Sequence, residues 1–177
     1  MKLKLSNILQ IVAAFFAILA IVCLFLPGVS ASEEVMGSVT SSTISLIGLM
    51  FGGGPLKGTT AGISMSTNYS GGMSIFGLFA FVLLIVAIAL GIVAVVMKKS
   101  NLLIPAGAVA VVAGICALLV MVAGTPVTSS IAGLGEIEES FKEFIDGFNL
   151  GIGSILFAVS AILGGGLLVA SKIMDTK

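Results

Sequence analysis

The sequence predicts an all-α membrane protein, a four-transmembrane-helix bundle with a small extracytoplasmic cap, and three observations predict it. Hydrophobic residues make up 58% of the 177 and charged residues 9%, whereas soluble domains run at roughly 45–50% apolar and about 25% charged. The apolar residues gather into four uninterrupted stretches, at 8–26, 75–97, 102–124 and 150–170, none of which contains a charge. Six of the eight lysines stand at the ends of these stretches, and seven of the eight acids lie in the two long loops between them.

Each stretch has about the 20 residues that a helix needs to cross a hydrocarbon core of ~30 Å. Lipid offers no partner to a bare backbone amide, so a spanning segment is a helix or a barrel strand. Continuous apolarity, with no alternation of faces, excludes the barrel. The expected organisation is a single four-span membrane domain over 1–177 with outer loops at 27–74 and 125–149.

Orientation follows from the cations, all eight of which are lysine. Lys2 and Lys4 precede the first span, Lys98 and Lys99 separate the second from the third, and Lys172 and Lys177 follow the fourth. Cytoplasmic segments carry the excess of basic residues, which puts both termini in the cytoplasm of a multi-pass plasma-membrane protein. The two loops hold only Lys57 and Lys142 but also Glu33, Glu34, Glu136, Glu138, Glu139, Glu143 and Asp146. A net charge of zero with this division of sign gives no reason to expect nucleic acid as a partner.

The first span, with Lys2 and Lys4 before it and Val29-Ser30-Ala31 after it, has the outline of a secretory signal. Its apolar run is longer than the ~7–15 residues of a signal core, so it is expected to be retained. Cys23 and Cys116 lie within spans and read as small packing residues. Neither outer loop contains a cysteine, so no disulfide framework braces them.

Small residues at four-residue spacing mark where helix backbones approach in lipid. Ala106, Ala110 and Gly114 form such a row on the third span, Ala87 and Gly91 on the second, and Ala161 with Gly165 on the fourth. These are expected to be seams inside the bundle, with dimerisation as the other use of the pattern. Pro105 falls in the first turn of its span, where its missing amide hydrogen costs little.

Chemistry is sparse. Without histidine there is no imidazole base or histidine metal site, and the spans carry no ionisable group but the two thiols. Intramembrane charges are costly and mark pumps and proton-coupled transporters, so the expectation is a protein that is not an enzyme and has no cofactor. Gln10 is the sole amide in the apolar stretches and reads as a snorkelling or helix-contacting residue. Gly52-Gly53-Gly54-Pro55-Leu56-Lys57-Gly58-Thr59 lacks the spacing of a phosphate loop and reads as a turn.

In the second outer loop, Ile137, Phe141, Phe144, Ile145 and Phe148 recur at helical spacing between Glu136, Glu139, Glu143 and Asp146. This predicts an amphipathic helix over 136–148, resting on the bundle or in the headgroup layer, and the same stripe would serve as a partner-binding face. In the first loop, alternation of Ile63, Met65, Thr67 and Tyr69 with small residues predicts a strand. Residues 44–51 suit either a strand or a membrane-dipping segment. Asn68-Tyr69-Ser70 fits a glycosylation acceptor.

Four spans with cytoplasmic ends, a long first outer loop that could form a small sheet and a shorter second loop with a helix before the fourth span resemble the layout of the claudin and peripheral-myelin-protein group. The resemblance covers the whole chain in topology and implies lateral association with adhesion or barrier formation. The signature of that group combines tryptophans with a cysteine pair in the first loop; this chain has no Trp and no loop cysteine, so no functional residue is carried across. The expected function is therefore a non-enzymatic structural or accessory subunit associating with itself or a larger membrane complex within the lipid bilayer. The alternative is a subunit of a transporter or oligomeric pore.

Overall fold

The computed structural model describes residues 5–35, 38–60, 63–131 and 135–175. Four helices are long and apolar enough to cross a membrane: α1 (Leu5–Cys23), α3 (Ile75–Val96), α4 (Leu103–Leu118) taken with the turn that precedes it from Ser100, and α6 (Ile152–Asp175). A 3-10 turn at Ser100–Leu102 leads into α4. Two short helices, α2 (Leu46–Phe51) and α5 (Phe141–Ile145), interrupt the loops. The loops themselves are mostly strand: β1 (Pro27–Val35), β2 (Ser38–Ser45), β3 (Gly53–Thr60), β4 (Ile63–Gly71), β5 (Val127–Ile131), β6 (Gly135–Glu139) and β7 (Asn149–Leu150).

These strands form one seven-stranded sheet in the order β6-β5-β4-β3-β2-β1-β7, antiparallel at every pairing. This corrects the all-α expectation: the protein is mixed α and β, and the sheet is no minor insertion in the first loop. Strands from the second loop flank those of the first on both sides, with β5 on β4 through Tyr69↔Ser129 to Gly71↔Val127 and β7 on β1 through Val29↔Leu150 and Ser30↔Asn149. The amphipathic helix expected over 136–148 is also corrected. Its first part pairs with β5 as strand β6, from Val127↔Glu139 to Ile131↔Gly135, and only Phe141–Ile145 is helical. Likewise 53–60 is no mere turn. Pro55 is accommodated because β3 pairs with β2 only through Lys57 to Thr60, leaving the proline outside that ladder.

The chain divides into two compact units. The helical unit comprises Met1–Val22, Phe79–Ala117 and Leu156–Lys177. Within it α4 presents a buried face of Ala106, Gly107, Ala110, Ala113, Gly114 and Ala117. A side chain on Gly114 would stand 2.9 Å from the Ala158 carbonyl and 2.8 Å from Ile162, so the α4 and α6 backbones touch there. On α6 the successive Gly164, Gly165 and Gly166 point in three directions. The first lies against Phe16 and Ala13 of α1, the second against Gly107 and Ala110 of α4, and the third meets nothing within 4 Å. Two neighbours thus reach one helix at the same level because two adjacent residues lack side chains. Lys172 donates to the Ser100 hydroxyl at 2.8 Å, joining the last turns of α6 to the turn before α4. Away from these seams the helices show lipid-compatible side chains, among them Phe15, Ile18, Val95 and Ile115, all exposed.

The second unit comprises Cys23–Leu78 and Leu118–Ile155 and holds the sheet. Its apolar centre includes Val29, Ile44, Leu46, Leu49, Met50 and Val127. Helix α2 starts at Ser45, whose hydroxyl accepts from the Gly48 amide at 3.2 Å, and stops at Gly52, whose φ of 68° is left-handed and suits glycine.

Candidate functional site

The residues singled out in the second loop surround α5, and Ser140 decides where that helix begins. Its hydroxyl accepts from the Glu143 amide at 3.3 Å and donates to the Glu143 carboxylate at 2.7 Å, while its own amide donates to the same carboxylate at 3.1 Å. This is a reciprocal capping box. The Ser140 hydroxyl, and after it the Ser140 amide, hold the Glu143 carboxyl below its ordinary range. The pattern Ser140-Phe141-Lys142-Glu143 was the available signal for a helix starting at Phe141 rather than Glu136.

The helix distributes the aromatic stripe over two surroundings. Phe141 and Ile145 turn inward, 4% and 6% exposed, and the Phe141 ring lies directly over Gly124, where a side chain would collide with it. Phe144 and Phe148 are half-buried and face each other, with ring centroids 6.1 Å apart. Phe148 also lines a hollow of about 160 Å³ together with Asp146, Gly147, Ala31 of β1 and Thr40 and Ser42 of β2. Ile137 stands in β6 opposite Ser129. Its side chain, like that of Asn68, lies outside the described residues.

Two buried hydroxyls, which sequence reasoning did not single out, tie the roots of the sheet unit. Ser154, at the start of α6, donates to the Gly28 carbonyl of β1 at 2.7 Å. Ser74, just before α3, donates to the Val120 carbonyl and accepts from the Gly77 amide at 3.0 Å. Both serines are fully buried. Beside Ser74, Met73 and Thr125 exchange bonds: the Met73 amide donates to the Thr125 hydroxyl and the Thr125 amide to the Met73 carbonyl, each at 2.9 Å. A lone serine at the end of an apolar run carries no periodicity, which is why neither stood out.

Of the small residues singled out in the spans, Ala106, Ala110 and Gly114 lie on the buried face of α4, and Ala161 and Gly165 face it from α6. Ala87 and Gly91 line a groove between α1, α3 and α6 that Ala110, Ala161 and Gly165 of that seam also border. Among the described residues no three acids or cysteines converge as metal ligands would.

The chain matches no protein-family model and no curated protein.

Proposed function

We propose that this is a non-enzymatic integral membrane protein, a structural or accessory subunit that associates with itself or with a larger membrane complex. In this reading both termini are cytoplasmic and both loops lie outside a plasma membrane. The observation that carries it is the sheet. A polar antiparallel sheet assembled from both loops, tied at its roots by Ser74 and Ser154, is an ordered surface outside the spans, and loops with no binding duty have little reason to be so organised. At one end of the order, β6 pairs only with β5 among the described residues, and its sequence carries Glu136, Glu138 and Glu139. Charged edge strands resist indiscriminate pairing and leave the edge to a matched partner.

Affinity purification from native membranes, followed by mass spectrometry, tests the reading. Recovery of a defined membrane complex or a stable homo-oligomer without conductance supports it. An oligomer that conducts ions in liposomes overturns it in favour of a pore. Orientation has its own test in a background lacking Cys23 and Cys116: Ser41→Cys reacts with an impermeant thiol reagent on intact cells and Asn101→Cys does not.

A further inference from the structure

The helical unit contains a groove of about 410 Å³ walled by residues of α1 between Gln10 and Ile21, of α3 between Leu84 and Val96 and of α6 between Ser160 and Leu168, with Ala110 of α4. Its cause is a shortage of side-chain volume: Ala13 and Ala17 on α1, Ala87 and Gly91 on α3, and Gly164 on α6 all line it. A side chain built on Gly91 would meet nothing within 4 Å. An empty trough between helices forfeits dispersion contacts along all its walls, and at membrane depth the available filler is hydrocarbon.

The dimensions suit one acyl chain. At ~1.5 Å per residue the α3 wall runs about 18 Å, near the ~15 Å of a single leaflet in a ~30 Å core. The two ends differ chemically. Ile21, Leu84 and Ala161 line the deep part, whereas Gln10 brings a carboxamide to the other end beside Val95 and Val96. One turn past those valines come Lys98 and Lys99, both exposed, held back on the helix by amide bonds from Lys98 to the Val95 carbonyl at 3.3 Å and from Lys99 to the Ala94 carbonyl at 2.9 Å. One turn past Leu168, another lining residue, comes Lys172, fixed on Ser100. Against these three lysines the sequence sets a single acid at this end, Asp175.

We infer that the groove holds one acyl chain of an anionic phospholipid from the lysine-side leaflet, with its phosphate at Lys98, Lys99 and Lys172 and its glycerol region at Gln10. Charge complementarity selects the headgroup and the trough selects the chain. The assignment goes beyond the accessory role and stands whether or not a protein partner exists.

The test uses the full chain in nanodiscs containing equal phosphatidylglycerol and phosphatidylcholine of identical chains, extracted gently and weighed by native mass spectrometry. The parent retains phosphatidylglycerol over phosphatidylcholine by about tenfold or more, the discrimination expected of two or three surface lysines at about 1 kcal/mol each. Gly91→Leu, which fills the trough where there is room, loses both adducts. Lys98→Gln with Lys99→Gln keeps a chain but loses most of the headgroup preference. Unchanged retention by Gly91→Leu overturns the groove, and an absence of headgroup preference in the parent overturns the anionic site. Because neither readout involves a protein partner, failure here is distinct from failure of the accessory reading.

Discussion

The helical unit and the sheet unit reach close packing by opposite means. In the helices the backbones already satisfy their own hydrogen bonds, so association rests on removing side chains until carbonyls and α-carbons touch, as along Gly107, Gly114, Ala158 and Gly165. In the sheet the backbones are incomplete alone and are satisfied by one another, with side-chain hydroxyls closing the junctions at Ser74 and Ser154. The first solution is sensitive to bulk and indifferent to polarity; the second is the reverse. A substitution therefore reveals which rule governs its surroundings.

The largest effect is expected at Phe141, the buried ring over Gly124. Phe141→Ala should destabilise the sheet unit by about 3–4 kcal/mol, seen as faster proteolysis between β5 and α6 with the four spans still inserted. Equal cutting of variant and parent would break the contrast. Next, Gly107→Leu or Gly165→Leu should cost about 3 kcal/mol in detergent, since backbone faces backbone there, while Gly166→Leu stays within about 0.5 kcal/mol. Thermal unfolding of the three variants decides this; similar melting points would dissolve the seam. Third, Ser154→Ala should cost about 1 kcal/mol by removing one of the two hydrogen bonds that the buried Gly28 carbonyl accepts. Hydrogen exchange should then quicken at the Gly151 amide, which bonds the same Gly28 carbonyl, and not in α4.

The smallest effect depends on pH. Because Ser140 lowers the Glu143 carboxyl, the capping box contributes fully above the ordinary carboxylate value and is lost as pH falls through the lowered one. Exchange at the Phe144 amide, which bonds the Ser140 carbonyl at 3.0 Å, should accelerate over that acidic window. Glu143→Gln should remove the pH dependence; its persistence would assign the cap to another group.

The four long apolar helices were legible because crossing lipid would impose one requirement over many consecutive residues. Their ends were less so. The third apolar stretch runs to 124, but α4 stops at Leu118 because the residues after it serve strand-like contacts, with the Ala123 carbonyl accepting from Ile75 and Gly124 bridging Ser74. At 24–26, Leu24 and Leu26 leave the helix to give their carbonyls to Ile47 and Leu46. The sheet was hidden for a different reason. Strands such as Ser38–Ser45 and Gly53–Thr60 are rich in Ser, Thr and Gly, with little apolar alternation to mark a face. What specifies them is pairing with distant segments. In 136–148 an apolar repeat compatible with a helix ran on both sides of Ser140, and only the capping box revealed the change from strand to helix.

The strand order also governs when the protein can be finished. As the chain emerges, β1 through β4 can form hairpins early, yet the outer sides of β1 and β4 await β7 and β5, which lie beyond the third apolar segment. Residue 29 finds residue 150 only after the whole intervening segment, with two of the long apolar helices, has been made. Until then the half-built sheet has exposed hydrogen-bonding edges that invite pairing with another nascent copy. Arrival of β7 thus completes the sheet, and the interval before it is when shielding of the strand edges would matter most.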